Sequence, residues 1–128
     1  MRDMKNNLDA VISLSPAARN ATANGAGVDL QGFEGAVALV HFGAWTDGTH
    51  TPSLQESDDN SAFTAAAAAD MLGAFTAVSS GAGSNTTQRV GYVGAKRYVR
   101  GVMTVSGATT RALSAITVAR GVAARRPV

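Results

Sequence analysis

The chain has 128 residues, 45% of them hydrophobic and only 16% charged, and contains no cysteine. One domain of this length buries roughly two-thirds of its unfolded surface, and the composition excludes a disordered tail, a disulfide scaffold, a thiolate metal site and a thiol nucleophile. The formal net charge of +2 hides a division: residues 1–70 hold all nine acids against three bases, a formal −6, whereas residues 71–128 hold eight bases and no acid, a formal +8.

No apolar run approaches the roughly 20 residues of a membrane-spanning helix. The polar, mixed-charge start from Met1 to Asp9 is unlike an ordinary signal peptide, so no membrane role is expected. Gly, Thr, Ser and Val recur in short runs between turn signals, which predicts an all-β domain, a small sandwich or barrel with one short helix. Residues 1–128 read as that single domain, with 1–15 as a candidate extended arm and 121–128 as a basic tail carrying Arg125 and Arg126.

In chain order, Leu8 to Leu14 is an apolar run stopped by Ser15-Pro16, and Asn24-Gly25-Ala26-Gly27 reads as a tight turn. Glu34 to Trp45 is the best early strand. Its odd face carries Val37, Leu39, His41 and Trp45, and its even face Ala36, Ala38, Val40 and Phe42. Apolar residues on both faces predict a strand covered on both sides, or one with one side covered by another subunit. Thr46-Asp47-Gly48-Thr49 is a turn and His50 to Glu56 a short polar strand. Ser57-Asp58-Asp59-Asn60 has capping chemistry, so the alanine-rich Ser61 to Leu72, closed by Gly73, predicts the short helix. Phe75 to Val78 is extended and Ser79 to Thr87 is a Ser/Gly/Asn loop.

Gln88 to Ser106 reads as a hairpin with two competing registers. A two-residue Gly94-Ala95 turn sets Arg89 against Arg100, a like-charge pair. A four-residue loop 94–97 pairs Val93 with Tyr98 and Tyr92 with Val99, and is the expected register. Arg111 to Arg120 is the last strand.

Chemistry is sparse. The carboxylates cluster in Glu56-Ser57-Asp58-Asp59, a solvated loop composition and not the paired, divergently tuned groups of acid–base catalysis. His41 and His50 are the only histidines. His50 with Asp47 falls short of a closed metal site, and the acidic loop lacks the spacing of a calcium loop. Gly81-Ala82-Gly83 lacks the lysine and helix of a phosphate loop. No enzyme, cofactor or metal is expected. Arg89, Lys96, Arg97 and Arg100, interleaved with Tyr92 and Tyr98, resemble a nucleic-acid stacking platform in outline. Scarce aromatics and the acidic first half argue against that partner.

Three strings carry a family resemblance: Val28-Asp29-Leu30-Gln31-Gly32-Phe33; Trp45 through Pro52, continuing from Leu54 to Asp59; and Arg89 to Gly94 with Lys96 to Arg100. Over about residues 1–120 the chain resembles small structural proteins of tailed bacteriophages and prophages encoded beside the major capsid protein. The resemblance implies a virion component assembled in the host cytoplasm, a head decoration (cement) protein without catalytic residues. Its partners would be the major capsid protein and further copies of itself, as a homotrimer or another symmetric ring. A neck or tail protein, a carbohydrate-binding module built around Trp45, and a nucleic-acid binder are the alternatives. The charge division predicts assembly electrostatics. Arg89, Arg97 or Arg100 should meet Asp47, Glu56, Asp58 or Asp59 within or across subunits, and Arg125 and Arg126 should reach an acidic surface.

Overall fold

A computed structural model describes residues 1–123. Ten strands follow one another: β1 (Leu8–Arg19), β2 (Ala23–Asn24), β3 (Val28–Asp29), β4 (Phe33–Trp45), β5 (Thr49–Ser57), β6 (Thr64–Ala65), β7 (Met71–Leu72), β8 (Thr87–Tyr92), β9 (Tyr98–Ser106) and β10 (Ala112–Ala123). They form two antiparallel sheets, the all-β sandwich that the composition implies. One sheet runs β1-β10-β4-β8-β7; the other runs β2-β9-β5-β6, with β3 also on β9. Among the described residues no helix is long and apolar enough to cross a membrane.

Alternation along the strands sets the core. Ala38, Val40 and Phe42 of β4 face inward beside Ile116 and Val118 of β10. Met103 and Val99 of β9 and Leu54 of β5 meet them from the other sheet. The interior divides into a cluster of Leu14, Val40, Phe42, Val78, Met103 and Ile116 and another of Val28, Ala38, Leu54, Tyr92, Val99 and Val118, and Phe75 packs against both. Between the two sheets, a Cβ on Gly101 of β9 would lie 2.5 Å from Ile116 Cγ2 of β10. Only glycine fits there.

Several expectations are corrected. Ser61 to Leu72 forms no α-helix; it contains β6, a 3-10 turn at Ala68–Asp70, and β7. Residues Ala65 and Ala67 to Ala69 are exposed, and a short helix without a buried apolar face is marginal in water. The edge of β5 offers better bonds: Gln55 and Glu56 pair with Ala65 and Thr64, and Ala66 N–H donates to Leu54 O at 3.0 Å.

Gln88 to Ser106 is not a hairpin. Tyr92 lies opposite Ala36 and Met71 in one sheet, while Val99 lies opposite Glu56 and Val28 in the other, so residues 93–97 cross between sheets. Cross-strand repulsion weighs two hairpin registers against each other, but here both strands find longer partners.

Asn24 to Gly27 does not reverse the chain. Asn24 pairs with Val102 and Val28 with Val99, so β2 and β3 follow β9 with one extra residue between them. That bulge is drawn toward β1. Gly25 N–H donates to Gly101 O, and Ala26 N–H to Ser13 O, each at 2.7 Å. The buried Ser13 hydroxyl donates to Ala26 O and accepts from Gly101 N–H at 2.9 Å. This closes one side of the sandwich.

Residues 8–15 do not extend as an arm, because β1 from Leu8 pairs with β10 of the same chain. Ser15-Pro16 does not stop the strand; the register shifts between Ile12 and Leu14 and between Leu14 and Ala17. Proline is tolerated on an edge strand beside such a bulge. At the other terminus, residues 121–123 of the expected tail belong to β10, and Arg125 and Arg126 lie outside the described residues.

Candidate interaction surfaces

The two ends of β4 carry the polar chemistry. At its Phe33 end the first and third resemblance strings meet the Leu54–Asp59 part of the second, because β3, the end of β5 and the 93–97 crossing all reach it. Arg97 donates Nε–H to Asp29 Oδ1 at 3.0 Å and Nη2–H to Asp29 Oδ2 at 2.8 Å. This bidentate pair holds the Asp29 carboxyl down to about 2. Lys96 Nζ donates to Asp58 at 2.8 Å. The Tyr92 hydroxyl donates to Glu56 Oε2 at 2.6 Å and accepts from Lys96 N–H at 3.2 Å. Burial, then the Glu56 carboxylate, pushes the Tyr92 hydroxyl up, so it stays protonated as a donor. Arg120 pairs with Asp9 directly across β1 and β10, donates to Asp29 O at 2.7 Å, and lies 4.5 Å over the Phe33 ring. Beside this network is a cleft of about 480 Å³ between residues 30–36 and 92–97.

At the Trp45 end, Gly48 takes the positive φ of 86° expected of the turn. The Asp47 carboxylate accepts backbone N–H groups of Thr109 at 2.8 Å, Thr110 at 3.0 Å and Arg111 at 2.9 Å, and the Thr109 hydroxyl at 2.7 Å. The Thr109 bonds foremost hold its carboxyl at about 2. His50 is fully buried and its Nε2 donates to Asp47 O at 2.9 Å. Asp47 and His50 thus fasten loops. Trp45 is half-buried, with its indole N–H donating to Gly48 O at 2.9 Å.

The remaining sequence-derived site residues scatter. Arg89 is exposed on the outer face of the first sheet, opposite Leu39. Arg100 is on the other sheet, where Nε–H donates to Gln55 Oε1 at 2.8 Å and the guanidinium sits 4.2 Å over Phe63. Asp59 accepts from Ser61 N–H, Ala62 N–H and the Ser57 hydroxyl, which lowers its carboxyl pKa. Within the chain and among the described residues, Arg89, Arg97 and Arg100 make no ion pair with Asp47, Glu56, Asp58 or Asp59. The acidic and basic halves meet instead through Lys96–Asp58, Arg97–Asp29 and Arg120–Asp9. Asp29, Asp9 and Arg120 escape a reading of charge clusters because each stands alone in its segment. Asp29 also accepts Gln31 N–H at 2.9 Å, an Asx turn and a local signal for Asp29 alone.

The third surface is apolar. The even face of β4 is core, but its odd face is not covered within the chain. Val37 and Leu39 are half-buried and His41 is exposed. They share the outer face with Ile12 of β1 and Ala115, Thr117 and Ala119 of β10. A groove of about 460 Å³ runs along it, walled by Ile12, Pro16 and Ala17 on one side and His41 and Gly43 on the other.

No family model matches the chain, and no curated protein matches it. A solved crystal structure, that of the PBSX exported protein XepA, is similar over 94% of this chain with a TM-score of 0.59 and 22% sequence identity. This chain spans 39% of that one. The likeness shows a shared β fold.

Proposed function

We propose that this chain is a structural protein of a bacteriophage particle that acts by binding, not catalysis, as a head decoration (cement) protein in the virion. The observation that carries the reading is the fold shared with XepA, a prophage-derived exported protein. The resemblance strings support it: Asp29 of the first, Glu56 and Asp58 of the second and Tyr92, Lys96 and Arg97 of the third are joined by hydrogen bonds at one end of the sandwich. The titratable groups support it too: Asp29, Asp47, Glu56 and Asp59 are each spent on an internal bond. The major capsid protein and further copies of this chain are the partners. Individually weak contacts gain strength when repeated across a lattice.

Two competing readings lose their platforms. Arg89, Lys96, Arg97 and Arg100 divide between two sheets and the crossing, and two of them are held by acids, which weighs against a continuous phosphate-binding strip. Trp45 is half-buried against the core cluster and its indole N–H is spent on Gly48 O, which weighs against a sugar-stacking platform. The test is to mix purified protein with undecorated capsids and image them. Added density at regular lattice positions is expected. Absence of capsid binding, with density at the neck or tail of whole virions, overturns decoration.

A further inference from the structure

The outer face of the first sheet is a large surface that nothing within the chain covers. Across β1, β10, β4 and β8 it is about 19 Å wide at ~4.8 Å per strand, and about 30 Å long over nine residues of β10. That footprint is of the order of the ~800 Å² each partner contributes to a standard interface. Its centre is the part-exposed Val37, Leu39 and Thr117, packed around the buried Ala115 and Ala119, with the exposed Ile12 and His41 beside them; among the described residues its charged residue is Arg89 on β8, and no carboxylate lies on it.

From this we infer that the face is the interface between two copies of this chain, packed sheet on sheet across a two-fold axis. The inference deepens the self-association in the proposed function and does not rest on capsid binding. Three features favour a second copy as the occupant. The face is self-complementary in relief: Ile12, 55% exposed, stands as a ridge beside a groove floored by Leu113, Ala115 and Thr117. An isologous contact requires such a ridge and groove on one surface. Charge permits it, because Arg89 is peripheral and the centre brings no like charges together. Edge-to-edge pairing through β1 is obstructed by Pro16 and the two register shifts, so association is directed to the face.

The test measures solution mass by light scattering at tens of micromolar, with thermal melts to check folding. Wild type should run at twice the 13.0 kDa chain mass or an even multiple. Ile12→Lys should weaken association by ~100-fold, the size of a hot-spot loss, and leave monomer with little change in melting temperature. His41→Glu, on the opposite wall, is a second variant with the same expected result. Val93→Lys, at an exposed site in the crossing, should leave the mass unchanged. Monomeric wild type overturns the inference and self-association together. An oligomer that survives both substitutions, in variants that melt normally, overturns this interface alone. Capsid imaging of wild type reports separately on decoration.

Discussion

Arg97 and Asp29, 68 residues apart, are joined by two side-by-side hydrogen bonds that tie the crossing between sheets to β3. One comes from the acidic half of the chain and the other from the basic half. The pair fixes where the 93–97 segment lands more than it adds to stability. Both side chains are more than a third exposed, and such pairs contribute about 0–1 kcal/mol.

A pH dependence follows from the pair. The Asp29 carboxyl ordinarily titrates at 3.8 and is held at about 2 in the fold, by Arg97 foremost. A depressed carboxylate stabilises fully above its unfolded value and loses that contribution as pH falls through its folded one. Asp29→Asn should therefore flatten stability against pH between about 4 and about 2, with a small loss at neutrality. Urea midpoints across that range measure it. An acid limb as steep as that of wild type would contradict the assignment.

The Asp47 carboxylate organises residues 109–111 through three backbone N–H groups. Asp47→Ala should lower the melting temperature more than Asp47→Asn, which keeps one acceptor oxygen. Amide exchange at Thr109, Thr110 and Arg111 should accelerate in the alanine variant ahead of exchange in β4. Equal melting of the two variants would show that the loop holds itself.

Gly101→Ala should destabilise by about 1–3 kcal/mol through overpacking, since the new methyl would press on the branched, buried Ile116. Ile116→Ala alone should cost about 2–5 kcal/mol. Together the two should cost clearly less than their sum, because each relieves the other. An additive double-mutant cycle in denaturant would show that Gly101 and Ile116 do not limit each other's packing.

Tyr92→Phe removes a buried hydroxyl that donates to Glu56 and accepts from Lys96 N–H. The expected loss is about 1–3 kcal/mol, the cost of leaving buried polar partners unsatisfied. Glu56→Gln, which can still accept that bond, should be milder. Chemical denaturation of the two variants decides the order.

The sequence by itself determined the class of fold and its long strands. The strands expected at Glu34 to Trp45 and Arg111 to Arg120, the Asp47-Gly48 turn and the polar strand after it depend on local chemistry, and all of them stand. So does the doubly apolar character of β4, whose even face is core and whose odd face lies on the outer surface. Tertiary structure alone decided which strands pair. The run from Ser61 to Leu72 has helical composition, but the open edge of β5 supplies backbone partners that no local pattern reveals. Tyr92 and Tyr98 look like hairpin neighbours until β4 and β5 claim the two strands for separate sheets. The division of charge is legible in the sequence, but its partners are not: Asp29, Asp58 and Asp9 find Arg97, Lys96 and Arg120 only after non-local strand pairing brings the halves together. Propensity and periodicity act within a few residues, whereas pairing and burial are settled by competition across the whole chain.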